Sequence, residues 1–166
     1  ERLSQVRDVF IFCCFTGLAY SDVEKLSLSN IKTGIDGKQW VYTNRTKTGT
    51  RSAVPLLPPA IAILERYSDH PYCVTKDRAL PVSSNQKLNE YLKEIAAVCE
   101  INKPLSSHIA RHTFATTITL LNGVPMESVS KMLGHTNIRT TQIYAKVLDI
   151  KVSADMAVLQ NRFSIK

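Results

Sequence analysis

Four side chains near the C-terminal end of the sequence could do chemistry together. His108 and Arg111 stand three apart, so on a helix they share one face. His135 follows Gly134 directly, and Tyr144 comes nine residues after it. The arginine is always charged and planar, and it can donate two parallel hydrogen bonds to a phosphate. Each imidazole titrates near neutrality, so it can take or give a proton. A phenol becomes a nucleophile once its proton is removed. Two histidines, an arginine and a tyrosine of this kind can meet around one anion.

Positioning them falls to the stretch from Ser106 to Lys146, which reads as three helices with clear punctuation. Ser106 or Ser107 caps the first, and Gly123 ends it. Pro125 suits the first turn of the second, and Gly134 ends that one. Asn137 or Thr136 caps the third. His108 and Arg111 are then expected in a first helical turn, where free backbone N–H groups favour a bound phosphate.

The ordered set His108-x-x-Arg111-His112-Thr113-Phe114-Ala115-Thr116, Leu133-Gly134-His135 and Tyr144 resembles the catalytic domain of tyrosine recombinases, the phage- and transposon-type integrases. The likeness reaches back to Thr16-Gly17-Leu18 and the turn Lys47-Thr48-Gly49, so it covers nearly the whole chain. It implies transesterification at a DNA phosphodiester. A tyrosine hydroxyl attacks phosphorus in line, a 3′-phosphotyrosyl link forms, and a 5′-hydroxyl leaves. The bond energy stays in the covalent intermediate, so the resemblance implies no ATP, no metal and no other cofactor. On that likeness Tyr144 is the nucleophile and Arg111 holds the phosphate. His108 handles the tyrosine proton or donates to a phosphate oxygen, His135 is a second phosphate donor, and Lys47 protonates the leaving oxygen. His112 is taken to project off the His108–Arg111 face and is read as structural. The other tyrosines (Tyr20, Tyr42, Tyr67, Tyr72 and Tyr91) read as core or surface aromatics.

The sequence departs from the family at one place. The usual pattern T-G-L-R-x-x-E/D supplies a second arginine, and here that position is Ala19, with Asp22 at the acidic position. Either the protein is a catalytically weak or inactive DNA-binding relative, or another cation has moved in. A branch of conjugative-transposon integrases in the family also lacks this arginine. Arg45 is the preferred substitute, because it stands two before Lys47 and shares its side of an extended strand. Arg7 is the runner-up; it lies roughly 18 Å from Ala19 along a straight helix, so the chain would have to return. Either could instead bind flanking phosphates. Arg51 and Arg139 join Arg45 and Lys47 as expected DNA contacts.

Composition agrees with a nucleic-acid partner. There are 21 Lys+Arg against 14 Asp+Glu, a formal charge of +7, which favours a polyanion. At 44% hydrophobic and 21% charged, the 166 residues suit one globular domain and exclude a disordered chain. Cys13, Cys14, Cys73 and Cys99 lack metal-ligand spacing and read as buried, reduced thiols. The apolar run from Val9 to Phe15 is too short to span a membrane. No signal peptide is visible, and the chain begins without methionine inside an expected helix, so it reads as an excised domain.

Along the chain, Leu3 to Phe15 keeps a helical period and Gly17 closes it. Ser21-x-x-Glu24 has capping-box form for a short second helix. Trp40–Thr43 and Ser52–Leu56 read as a hairpin whose tip carries Arg45, Lys47 and Arg51. Pro58 opens a helix, Ser68–Asp77 reads as a polar loop, and Asn85–Cys99 is a helix with Leu88, Leu92, Ile95 and Val98 on one stripe. The last helix carries Val152, Met156, Leu159 and Phe163, most simply as core, with docking on a neighbouring protomer as the alternative. The expected fold is mainly α (α+β), with a small antiparallel β-sheet at one edge. Residues 1–166 read as a recombinase catalytic domain, with the family's N-terminal core-binding domain absent from this chain. Expected partners are double-stranded DNA and further copies of itself in a synaptic tetramer, in a bacterial cytoplasm on the nucleoid. Type IB topoisomerases, which share the chemistry, are the alternative enzyme; a non-catalytic DNA-binding module is the alternative class.

Overall fold

A run without proline or glycine folds as α1, Arg2–Thr16, and Gly17 stops it in the left-handed conformation at φ 69°. The computed structural model describes residues 1–163, and for 145–148 the backbone alone. Val6, Val9, Phe12, Cys13 and Thr16 recur every three or four residues along α1 and are buried. Around that stripe pack α3 (Pro58–Arg66), α5 (Asn85–Val98) and α6 (Ser107–Thr113), closing the larger of two cores.

α2 is a single turn, Tyr20–Val23, and the expected Ser21–Glu24 capping box is not made. Gly17 delivers the chain at Ala19 already extended, so the helix starts two residues early and Ser21 lies inside it. The capping box forms farther on instead. Ser27 Oγ accepts from Ser29 N–H and Asn30 Oδ1 accepts from Ser27 N–H, opening a 3₁₀ turn at Leu28–Asn30.

The sheet has three antiparallel strands, one more than the hairpin read from the sequence: β1 (Ile31–Thr33), β2 (Gln39–Asn44) and β3 (Arg51–Pro55), in that order. Val41 lies opposite Val54, and both are fully buried on the inner face. Trp40 and Tyr42 alternate to the outer face and stack at 6.0 Å.

α4 (Pro71–Lys76) occupies part of the segment expected as a loop; Pro71 starts it, having no N–H to lose in a first turn. Along α5, Leu88, Leu92 and Ala96 form the buried stripe, while Val98 is exposed, because it stands about 120° round the helix from Leu92.

The second core is small: Val54, Phe114, Ala115, Leu120, Val129, Leu133 and Tyr144. The first of the three expected C-terminal helices is composite, since α6 runs into a π turn at Phe114–Thr119 and a 3₁₀ turn at Leu120–Asn122 before Gly123 stops it at φ 83°. Thr119 Oγ1 donates to Phe114 O and Ala115 O, satisfying carbonyls of the widened turn. The second is α7, Met126–Met132. The third is not an α-helix; two 3₁₀ turns, Ile138–Thr140 and Gln142–Tyr144, lead into α8, Ala145–Arg162. The α8 stripe expected as core is exposed: Val152, Met156 (48%), Leu159 and Phe163 all face outward. Its apolar spacing marks a face, but α8 leaves the body past Gly123, where Lys151 lies, and is not enclosed by it. All four cysteines are free, and Cys99 is exposed rather than buried. The architecture is mainly helical with one small antiparallel sheet. No described helix is long and apolar enough to cross a membrane.

Candidate active site

α7 ends in a paired turn that sets the site. His135 N–H donates to Ser130 O and Gly134 N–H to Lys131 O, each at 3.0 Å. The closure requires the left-handed conformation of Gly134, φ 63°. A side chain there meets a second obstacle, since a Cβ would lie 2.6 Å from Arg45 Cγ and Arg45 would have to shift. The helix end leaves carbonyls without intrahelical partners, and side chains take them. Ser52 Oγ donates to Met132 O at 2.5 Å. Leu133 O accepts from two arginines, Arg111 Nη2 at 2.6 Å and Arg45 Nη1 at 3.1 Å.

Arg111 also donates through Nη1 to Gly17 O, at the C-terminal end of α1, at 2.5 Å. Its guanidinium therefore bridges the negative ends of two helices, where a cation is favoured. It is 6% exposed. Burial, and after it the Arg45 charge, pulls its pKa down to about 10, so it stays charged at neutral pH. Arg111 lies in the last turn of α6 rather than the first, and the Ser106 side chain already takes the Ile109 N–H. The site is made by side chains, not by the helix N-terminus that the spacing suggested.

Arg45 is drawn in from the hairpin. Asp22 Oδ1 accepts from Thr46 N–H at 2.8 Å, and Asp22 Oδ2 lies 2.9 Å from Arg45 Nε as a charge contact without hydrogen-bond alignment. The buried Asp22 thus ties the hairpin to α2 and holds Arg45 over Gly134, beside Arg111. Lys47 is exposed at the hairpin tip. Arg51 lies over the Tyr42 ring at 5.3 Å, on the outer face of the sheet, and Arg139 is exposed on its 3₁₀ turn. Arg7 points elsewhere; its Nε and Nη2 bond Asp8 Oδ1 at 2.9 Å, in a cluster with Arg66 and Tyr67.

His135 Nε2 lies 3.1 Å from Arg111 Nη2, and its Nδ1 lies 2.8 Å from Thr141 Oγ1. A guanidinium only donates, so Nε2 accepts and the ring proton is on Nδ1, donated to Thr141. Burial first, then Arg111 and Arg45, push the His135 pKa down to about 4. The same Thr141 carries the chain to the phenol, because Tyr144 N–H donates to Thr141 O at 3.1 Å. Tyr144 is 4% exposed. Burial raises its pKa, and the Arg111 charge pulls it partly back.

His112, expected to project off the His108–Arg111 face, instead lies in the site. Its Nε2 lies 3.1 Å from His108 Nε2, and its ring meets the Tyr144 ring edge-on at 5.0 Å. The available signal was the i,i+4 spacing. His112 stands about 40° round the helix from His108 and Arg111 about 60° the other way, so all three share a face. The partnerships of Thr141 and Asp22 had no comparable signal. A pocket of about 290 Å³ opens beside Arg111, between Ala19 and Ser21 on one side and His108 on the other. The fold thus gathers His108, His112, Arg111, Arg45, His135 and Tyr144, and leaves Lys47, Arg51 and Arg139 exposed. Two guanidiniums can hold an anion there, imidazoles can move protons, and one phenol can attack. Among the described residues no group of three or more His, Cys, Asp or Glu is arranged to hold a metal.

Comparison with known proteins gives a consistent picture. The description of the Phage integrase family matches residues 4–150. The chain is 32% identical over 131 residues to the tyrosine recombinase XerD of Halalkalibacterium halodurans, covering 79% of this chain and 43% of that protein. It spans about half the length of the curated relatives it matches. The catalytic domain of bacteriophage HP1 integrase superposes with a TM-score of 0.60 at 22% identity, over 87% of this chain and 81% of that one. The XerH site-specific recombinase bound to its difH substrate, in a pre-cleavage complex, superposes with a TM-score of 0.67 at 19% identity, over 86% and 42%. Both share the fold.

Proposed function

The chain belongs to the phage integrase family, and from that premise we propose that residues 1–166 are the catalytic domain of a site-specific DNA recombinase. It cuts and rejoins DNA through a 3′-phosphotyrosyl intermediate, for integration or excision of a mobile element. The observation that carries this reading is the convergence of Arg111 and Arg45 on Leu133 O, beside His135 and the buried Tyr144.

The chemistry follows from that geometry. The pentacoordinate transition state carries more negative charge than the phosphodiester, and charges fixed beforehand stabilise it most. Arg111 supplies one guanidinium, and Arg45 supplies the one that Ala19 cannot. Burial, with the two arginine charges, holds His135 neutral; a bound phosphate offsets those charges, so His135 takes a proton from solvent on Nε2 and hydrogen-bonds a phosphate oxygen with it. As Tyr144 Oη bonds to phosphorus, its proton passes to His108. The bond from phosphorus to the 5′-oxygen breaks, and Lys47 protonates that oxygen. Rejoining reverses each step, with the 5′-hydroxyl attacking and tyrosine leaving.

A core-binding domain outside these residues completes the grip on duplex DNA, supported by the +7 charge and by a structural relative held on its DNA substrate. Arg51 and Arg139 are flanking contacts in this reading. The exposed apolar face of α8 supports docking on another copy in a synaptic tetramer. The setting is a bacterial cytoplasm, on the nucleoid. Family membership and the Leu133-Gly134-His135 to Tyr144 spacing favour a recombinase over a type IB topoisomerase. A nicked suicide duplex that traps covalent adduct provides the test. Tyr144→Phe should fold and bind DNA yet form no adduct, and chelator should leave wild-type cleavage intact. Adduct from the phenylalanine variant would place the nucleophile elsewhere and sink the reading.

A further inference from the structure

His112 has no role in the chemistry above, yet it touches both His108 and Tyr144. We propose that His112 is a positioning residue of the cleavage reaction, holding His108 through the Nε2–Nε2 hydrogen bond and Tyr144 through its ring edge. The proposal rests on the reading of His108 and Tyr144 just given.

A hydrogen bond between two imidazoles requires one N–H and one lone pair, so a single proton lies between the rings. The titratable and charged groups facing His112 are His108 and Arg111 on its own helix and Tyr144 from the turn opposite. His108 is exposed and His112 is half-buried. Burial, with the charges of His108 and Arg111, lowers the His112 pKa. A protonated His112 is thus disfavoured, and in the pair His112 Nε2 is the acceptor and His108 Nε2 the donor. That assigns the His108 tautomer. Its Nε2–H is committed to His112, and in the neutral ring Nδ1 keeps the lone pair needed to take the phenol proton. The edge-on contact, a favoured arrangement for two aromatic rings, fixes the plane of the nucleophile against the same unit.

The test is the pH–rate profile of covalent adduct formation on a nicked suicide duplex, with the full chain that carries this domain. His112→Phe keeps a ring against Tyr144 and loses the acceptor for His108. The rate should fall about 10- to 100-fold, and the acid limb should move to lower pH, because protonated His108 has lost its acceptor. His112→Gln offers an amide oxygen in place of Nε2, so the limb should return toward wild type while the rate stays low. If the phenylalanine variant does not fold, His112→Asn, too short to reach His108, must show the same displaced limb. Wild-type rate and limb in these variants would overturn the proposal. So would a reduced rate with an unmoved limb in all of them, the mark of packing alone. Tyr144→Phe, run beside them, tests the underlying reading separately, since adduct there fails the nucleophile assignment whatever His112 does.

Discussion

The two cores of this molecule are built on different rules. Around α1, regular helices bury Phe12, Leu88 and Leu92, and backbone groups are satisfied within each helix. Around Tyr144 the elements are a π turn, three 3₁₀ turns and a seven-residue helix. There the leftover carbonyls are taken by side chains: Thr119 on Phe114 O, Ser52 on Met132 O, and Arg111 on Leu133 O. Regular packing supplies stability. Irregular helix ends supply fixed acceptors that aim charged groups, so the candidate site residues gather where regularity stops.

The sharpest way to break this division is to empty the larger core. Phe12 is 0% exposed. Phe12→Ala should lower the unfolding free energy by about 3–5 kcal/mol, read from denaturant midpoints. Adduct formed per folded molecule should stay at the wild-type rate; a parallel loss would mean that the cores act as one.

The complementary change falls at the site. Arg45→Ala should depress cleavage about 10²–10³-fold with nonspecific DNA binding much less affected. It also leaves the buried Asp22 without its cation, so some stability is lost. Arg45→Lys separates the two effects, because an ammonium can answer Asp22 but cannot make a bidentate contact with phosphate. Stability should recover and cleavage should not. Ala19→Arg in the Arg45→Ala background should restore part of the cleavage, since Ala19 lines the pocket beside Arg111.

Gly134→Ala is expected to act on both readouts more weakly. The left-handed backbone costs a non-glycine residue roughly 1–2 kcal/mol, and the new Cβ displaces Arg45 from 2.6 Å. Melting and adduct assays should both fall, with less loss of cleavage than Arg45→Ala shows.

The last effect is on pH dependence. Folding lowers the His135 pKa from its ordinary 6.5 to about 4, so between those values the unfolded chain binds more protons. The stability from keeping His135 neutral is present above pH 6.5 and is lost as pH falls toward 4. Urea midpoints should decline across that window, and His135→Gln should flatten the decline. An unchanged slope would place the titration elsewhere.

Much of this was legible in the residues themselves. Gly17, Gly123 and Gly134 mark helix ends because left-handed turns are local and glycine adopts them without strain. The β2–β3 hairpin and the α1 stripe follow from alternation and period. The ordered set from His108 to Tyr144 pointed to the phage integrase family before any fold was visible. Local rules reached no further. β1 forms because β2 offers it an edge, and α8 keeps its apolar face outward because the body does not enclose it. The His108–His112 pairing was within reach of helical spacing, but the Tyr144 ring against it was not.

What only the tertiary structure decided is how the arginines are aimed. Arg111 meets Gly17 O across 94 residues, and Arg45 meets Leu133 O across 88. Those acceptors are backbone carbonyls, present at every position alike, so no residue type announces them. They become an arginine cradle only when two helix ends, each with unpaired carbonyls, are packed side by side.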